Sequence, residues 1–528
     1  MRIRSYVLLA VLGAALSVAV ARFQPFPGYL DADYYFGGGL QLAAGKGFTE
    51  PYLWNYLDQP VALPHPSHTY WMPLASMIAA AGMWLTGEHT YAAGRIGFLM
   101  LAAVVPVVTG ALAYQFSRRQ DLAVTSGLLA VFSGYYAPFL SVTDNYGPDI
   151  VLGALFFILV VRRRLAASAA LGVVAGLLSL ARTDGLLWMV LAVAAILWRE
   201  HFSDADTSLE PEIAARVFAP RNVGTLTSHL ILALAGFGLV MGPWFWRMHS
   251  LFGAIFAPGA GRLLWLRSYD ETFVFPATRL TITHWVSQGW GPILAARLAA
   301  LRWNLLNAFA AQGELVLAPF VLAGLWLLRR DLRLKVGCLA WLALLGVMTV
   351  VFPFAGARGG FFHSGAALQP LWWAAAPIGL EAAVTWARGR GLFSVHAFVV
   401  FRAALVGVAV LMTAAILYLR VLPGWGEGEQ QYPQIQAFLR SKGLHGGDTV
   451  MVRNPPGYFI MTGQPAVVVP YGSTSSILAV ARQFEVDYVI LEAIGVAGPI
   501  KQVYDDTHNP DLPYLGDIDG TRIFAIRR

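Results

Sequence analysis

The chain has 528 residues, 57% hydrophobic and only 13% charged, with a formal net charge of +7 and one cysteine, Cys338. A soluble globular domain carries roughly 25% charged residues, so this composition excludes an ordinary cytosolic enzyme, a disordered chain and a disulfide scaffold. The basic residues stand in short arginine clusters between apolar runs, which reads as membrane topology and not as nucleic-acid binding.

Arg2 and Arg4 precede an apolar stretch from Tyr6 to Ala21. Ala19 and Ala21 fit a signal-peptide cleavage site, but further spans follow, so a retained first helix is the better reading. Spans are then expected at 6–23, 92–116, 121–141, 149–162, 165–181, 185–198, 227–247, 314–328, 335–353, 364–386 and 396–420, about eleven helices long and apolar enough to cross a bilayer. The positive-inside rule puts Arg118–Arg119, Arg162–Arg164, Arg329–Arg330 with Arg333 and Lys335, Arg388 with Arg390, and the mixed-charge loop Arg199–Arg221 in the cytoplasm. That assignment needs Trp71–Thr86, short and broken by Pro73 and Gly82, to lie in the interface instead of crossing. The N-terminus is then inside, and two large loops, 24–91 and 248–313, face outward. The second loop carries another expected in-plane helix at Pro292–Phe309.

After Arg420 the apolar runs stop. Residues 1–423 read as a transmembrane domain and 424–528 as a small outward-facing α/β domain. Its expected helices are Gln431–Lys442 and Ser475–Phe484. Its expected strands are Thr449–Val452, Ala466–Val469, Asp487–Leu491 and Arg522–Ile526.

Ionisable residues gather at the outer ends of the spans. Asp31, Asp33, Glu50, Asp58, His65, His68 and Arg95 belong to the first outer loop; Asp144 and Asp149, Arg182 and Asp184, and Arg358 and His363 belong to later outer turns. Polar groups at membrane depth are costly and usually functional, so their shared side implies one outward-facing site.

Asp31-Ala32-Asp33 supports two chemistries. One carboxylate can act as general base on an acceptor hydroxyl, or the pair can hold a divalent cation. Structurally, Asp31 would instead cap the following helix by accepting from the amides of residues 33 and 34. Gly37–Gly47 suggests a phosphate loop, but Leu40 stands where that loop needs glycine, so a packed helix ending at Gly45 is expected. His65 and His68 have zinc-like spacing. No cysteine is near, however, and Pro66 breaks any helix, so hydrogen bonding to a phosphate or sugar suits them better. In Arg182-Thr183-Asp184-Gly185, Thr183 or Asp184 would cap the next helix, and Arg182 would face the preceding helix end or bind phosphate. Arg358 beside Gly359 and Gly360 suits bidentate capture of a lipid phosphate. Trp54, Tyr70, Trp71, Trp285 and Trp290 serve as interface anchors, some of them able to stack on sugar rings.

Asp31-x-Asp33-Tyr34-Tyr35, followed by Leu40, Ala43 and Gly45-x-Gly47, resembles the first extracytoplasmic loop of GT-C glycosyltransferases. The resemblance is to the bacterial branch that includes lipid A aminoarabinose transferases and protein O-mannosyltransferases. Arg95 at the second span, Thr143-Asp144, Arg182–Gly185 and Arg358–His363 extend it. The chain departs from the pattern at Ala32, where the family has a second acid, and at His65 and His68, where aminoarabinose transferases have a lysine.

The resemblance implies an α-helical polytopic membrane protein with in-plane outer helices and a small C-terminal α/β domain, placed in the cell membrane. It implies inverting transfer of a sugar from a polyprenyl-phosphate donor to a lipid, glycan or protein acceptor on the extracytoplasmic face. Asp31 would be the general base, with Asp33 beside it. Arg95 and Arg358, with Arg182 or His363, would hold the departing phosphate, and His65, His68, Asp144 and Asp184 would contact substrate. No cofactor would be required, a divalent cation on Asp31 and Asp33 being optional, and no nucleic acid would bind. Two rivals remain. A transporter or flippase would be expected to show inverted repeats and midplane charges. An enzyme joining lipid-linked glycans would not need the early acids.

Overall fold

The computed structural model describes residues 1–201, 223–394, 396–493, 495–496 and 498–527. The loop expected from Arg199 to Arg221 therefore lies mostly outside the described residues. Fourteen longer helices precede residue 424: α1 (Ile3–Ala21), α2 (Leu30–Ala43), α3 (Leu74–Thr86), α4 (Ile96–Ser117), α5 (Gln120–Val131), α6 (Tyr146–Val160), α7 (Leu165–Ala181), α8 (Leu186–His201), α9 (Val223–Phe252), α10 (Trp290–Asn307), α11 (Ala318–Leu327), α12 (Leu332–Gly346), α13 (Gln369–Arg388) and α14 (Ala397–Arg420). They follow apolar runs and stop where the backbone leaves the helical region, at Gly87 (φ +72°) after α3 and at Arg118 (φ +55°) after α4.

Each expected span overlaps a helix, but the one expected at 121–141 ends as α-helix at Val131 and continues in a 3-10 stretch over Gly134–Phe139. Five segments are long and apolar enough to cross a membrane: Ile3–Ala21, Tyr91–Ser117, Gly224–Phe252, Leu332–Val351 and Ala397–Arg420. Helices α5, α6, α7 and α11 are apolar but shorter. Helix α3, in the run expected to lie in the interface, has 13 residues, about 20 Å of helix against a hydrocarbon core of about 30 Å.

The main core surrounds α13, whose Trp373 is fully buried, and draws in Phe156 and Phe157 of α6 and Trp188 of α8. Helices touch at small residues. A Cβ on Gly172 would lie 1.9 Å from the Ala233 carbonyl oxygen, and one on Gly153 would lie 1.9 Å from that of Ala367. The stretch before His363 is irregular. Wide π turns run over Ala308–Gln312, Val347–Val351 and Gly356–Gly360, a form common at functional positions.

Eight strands form. β1 (Thr49–Glu50) pairs antiparallel with β3 (His65–Pro66). The other six, β2 (Tyr52–Leu53), β4 (Thr449–Val452), β5 (Ala466–Val468), β6 (Val486–Glu492), β7 (Tyr514–Ile518) and β8 (Thr521–Ala525), make one sheet in the order β2-β5-β4-β6-β8-β7. The first four strands in that order are parallel and the last two antiparallel. Strand alternation sends Met451 to one face, with Ile477 and Phe484 of α17 (Thr474–Phe484), and Val450 and Val452 to the other, with Ile435 and Leu439 of α15 (Tyr432–Ser441). Helices α16 (Pro455–Thr462) and α18 (Pro499–Asp505) and strands β2 and β7 have no counterpart in the sequence reading. Strand β2 lies between α2 and α3, so residues 424–528 complete their sheet with a strand from near the N-terminus.

Candidate active site

Helix α2 organises the site. It begins after Gly28 (φ +86°), with Tyr29 extended at the N-cap and making no side-chain cap. Asp31 thus lies inside the first turn and does not cap it, contrary to the structural reading of the sequence. Successive residues turn by about 100°, so Asp31 and Asp33 point to nearly opposite faces. Asp31 lines a cavity of about 390 Å³. Asp33 is fully buried and accepts a 2.8 Å hydrogen bond from Asn454 Nδ2, which also donates to Glu429 Oε1 at 3.1 Å. The expected joint cation site of Asp31 and Asp33 is therefore corrected: helix geometry separates the two.

Asp31 instead meets Asp144 and His363. The ligand atoms of the three lie within 4.8 Å of one another, with His363 Nε2 3.7 Å from Asp31 Oδ2. The turn carrying Asp144 is sewn to α2. Thr143 Oγ1 donates to the Ala32 carbonyl (2.8 Å), Asn145 Nδ2 to the Tyr35 hydroxyl (2.7 Å), and the Tyr29 hydroxyl to Asp144 Oδ2 (2.5 Å). His363 Nε2 hydrogen-bonds the Tyr146 hydroxyl at 2.7 Å, and the two rings stack with centroids 4.3 Å apart.

Burial, and then the facing Asp144 carboxylate, raise the Asp31 pKa, while Arg182 opposes the rise. Burial also raises that of Asp144. Burial and Arg182 lower that of His363, keeping the ring neutral. Two carboxyls and a neutral imidazole in one place form a site that favours an incoming positive charge. Two oxygens and one nitrogen suit zinc or manganese better than magnesium. Asp31, Asp144 and His363 are the residues that would hold such an ion.

Arg182 is oriented by Asp184 (Nε to Oδ1, 2.9 Å) and by Ser364, whose hydroxyl also bonds Asp184. The expected cap is corrected here too. Asp184 serves Arg182, Thr183 Oγ1 donates to the Tyr70 carbonyl at 3.1 Å, and α8 starts at Leu186 without either. Arg358 is exposed, lies 4.6 Å over the Tyr269 ring and forms no ion pair among the described residues. The positive φ of Gly359 (+110°) gives this segment its turn.

His68 lines the cavity but spends both ring nitrogens on hydroxyls, Ser67 at 2.7 Å and Ser76 at 2.9 Å. Burial and Arg247 push its pKa down to about 3. His65 is buried against Asp58 (2.8 Å) and does not line the cavity. Nor does Arg95, whose Nη1 donates to the carbonyls of Ala21 (2.9 Å) and Gln24 (2.8 Å) and so finishes α1. Trp54 stacks on Trp71 at 4.0 Å with Tyr70 edge-on, making an aromatic wall beside Asp31. The cavity lining also includes apolar side chains, among them Met241, Phe245, Leu344 and Val351. Sequence reasoning missed Tyr29, Tyr146, Ser364 and Tyr269. Only the polar run Thr143-Asp144-Asn145-Tyr146 carried a signal for any of them.

No protein-family model and no curated protein matches the chain in sequence. Solved structures do match in fold, and they are GT-C membrane glycosyltransferases. ArnT from Cupriavidus metallidurans bound to undecaprenyl phosphate superimposes with a TM-score of 0.52 at 13% identity, covering 98% of this chain and 97% of its own. The Archaeoglobus fulgidus oligosaccharyltransferase in complex with Zn and sulfate gives 0.53 at 14% identity, covering 91% and 67%. Its apo form gives 0.50 at 12% identity, covering 92% and 69%. The fold is thus of the GT-C kind, and with the long apolar helices it makes this a multi-pass membrane protein.

Proposed function

We propose that this protein transfers a sugar from a polyprenyl-phosphate donor to an acceptor on the extracytoplasmic face of the cell membrane. One observation carries the reading: Asp31 and Arg358, which forms no ion pair among the described residues, line a single cavity whose lining also includes many apolar side chains. A carboxylate base, a phosphate-binding guanidinium and a greasy groove for an isoprenoid are what such a transfer requires. The fold neighbours support it, because one was solved with undecaprenyl phosphate and another with zinc and sulfate. In this reading residues 1–423 cross the membrane about eleven times, with α3 and α10 in its outer interface. Residues 424–528 lie outside.

Asp31 takes the proton of the acceptor nucleophile, whose electron pair attacks the anomeric carbon. The bond from that carbon to the phosphate oxygen breaks on the opposite side through an oxocarbenium-like state, inverting the configuration. Polyprenyl phosphate leaves with the bonding pair, and Arg358 and Arg182 bind its charge. The aromatic wall of Trp54, Tyr70 and Trp71 holds the sugar ring. A divalent cation on Asp31, Asp144 and His363 would supply Lewis acidity and lower the Asp31 pKa.

The test is sugar transfer by purified protein in lipid, offered a panel of polyprenyl-phosphate sugars, with and without EDTA. Asp31→Asn is expected to lose about 10²–10⁴-fold in rate, the usual contribution of a positioned general base. An Asn variant as active as wild type ends this assignment. Loss of activity in EDTA, restored by zinc or manganese, places the cation in the reaction.

A further inference from the structure

Asp33 is buried, faces away from the cavity and touches nothing that reacts. Its surroundings give it another task. The segment from Trp425 to Gly457 grips α2 at its start. Trp425 Nε1 donates to the Pro27 carbonyl at 2.9 Å, and a Cβ on Gly28 would lie 2.3 Å from that nitrogen. Asn454 then reaches Asp33 and Glu429 together, while its Oδ1 accepts from the Gly457 amide at 3.1 Å and caps α16. Gly457 provides the room, since a Cβ there would lie 2.4 Å from Asn454 Nδ2 and 3.1 Å from Asp33 Oδ2. Past the end of α2 the same sheet takes hold again, β2 pairing with β5. Tyr52 of β2 donates to the Tyr34 carbonyl at 3.3 Å.

Burying two carboxyls is costly unless they are paired. Asp33 and Glu429 hydrogen-bond each other, with the Gly28 backbone against both, and Asn454 adds the side-chain amide from which both accept. We propose that Asn454, bridging Asp33 and Glu429, clamps residues 424–528 to the helix that carries Asp31, and that Asp33 is thereby a positioning residue for Asp31. The positioning half rests on the function proposed above; the clamp does not. Asp31 and Asp33 share one turn of α2, so a tilt of that turn moves the Asp31 carboxylate relative to Asp144, Arg358 and the donor. Displacement of a reacting group by about 1 Å costs on the order of 100-fold in rate.

Asn454→Asp is the discriminating variant. It keeps the size and the helix cap but replaces the bridging amide with a third carboxyl. Hydrogen exchange of α2 amides in the intact protein is expected to speed up at least tenfold, and kcat to fall at least tenfold with donor KM within about twofold. Glu429→Gln keeps an oxygen for the Asn454 amide and is expected to stay within about threefold of wild type in both readings. If Asn454→Asp leaves α2 exchange unchanged, the clamp is wrong. If exchange rises and kcat holds, or KM alone changes, the positioning role is wrong. If wild type consumes no donor, the proposed function falls, and the exchange result alone decides the clamp.

Discussion

His68 is held neutral by its surroundings. Ser67 and Ser76 occupy both ring nitrogens, and burial with Arg247 nearby pushes the folded-state pKa from 6.5 down to about 3. A depressed pKa stabilises the fold above the unfolded value and loses that contribution as pH falls through the window from about 6.5 towards 3. The slope from one such group approaches about 1.4 kcal/mol per pH unit. The melting temperature in detergent is therefore expected to drop between pH 6.5 and 4.5, and His68→Gln to flatten that drop. An equal drop in the variant would show that other groups set the acid limit. The partners of His68 are not legible in the sequence, because the two serines reach it only when the 65–76 segment folds back on α2. Asp31 stands out in the sequence by its place after the first apolar run, and the fold brings it to the cavity. Asp33 was misassigned for a local reason: two residues along a helix is nearly half a turn.

Helices α6 and α7 show how close packing serves the site in two different ways. Gly172 lets α7 rest against α9, far from the chemistry, whereas Gly153 lets α6 meet the Ala366–Leu368 turn that follows His363. Gly172→Ala is expected to lower stability by about 1–3 kcal/mol, the usual cost of overpacking, with donor KM unchanged. Gly153→Ala should cost similar stability and lower kcat as well, because the added methyl drives the turn and His363 out of place. Thermal unfolding read beside transfer kinetics separates the two, and equal kinetics in both would remove the link from Gly153 to His363. Helix positions were largely visible in the sequence, since a charge-free apolar run of this length has few other solutions. The expected span 165–181 is helix α7 to the residue. The π turns at Ala308–Gln312, Val347–Val351 and Gly356–Gly360 had no signature, because a wider hydrogen-bond step needs no particular residue.

At the scale of the whole molecule, residues 424–528 are woven into the segment between α2 and α3. Strand β2 pairs with β5, the Tyr56 hydroxyl bonds the Val468 carbonyl, and Gln483 Nε2 donates to the Pro60 carbonyl at 2.7 Å. Ending the chain at residue 423 is expected to leave helices α4 to α8 protected from hydrogen exchange while residues 30–72 lose protection and transfer stops. Retained protection across 30–72 would make the C-terminal residues dispensable for the site. The change of composition after Arg420 marked this region in the sequence. The weave did not, since two residues of strand at Tyr52–Leu53 make no pattern and their partner is chosen by packing alone.

That weave also imposes an order on biogenesis. Tyr52 leaves the ribosome more than four hundred residues before Ala466, the residue it pairs with. At about 5–20 residues per second the delay is roughly 20–80 s. Throughout it strand β2, in the segment that follows Asp31 and Asp33, waits without the β5 partner it has in the finished fold. The surroundings of Asp33 and of strand β2 are therefore completed only when Asn454 and strand β5 arrive.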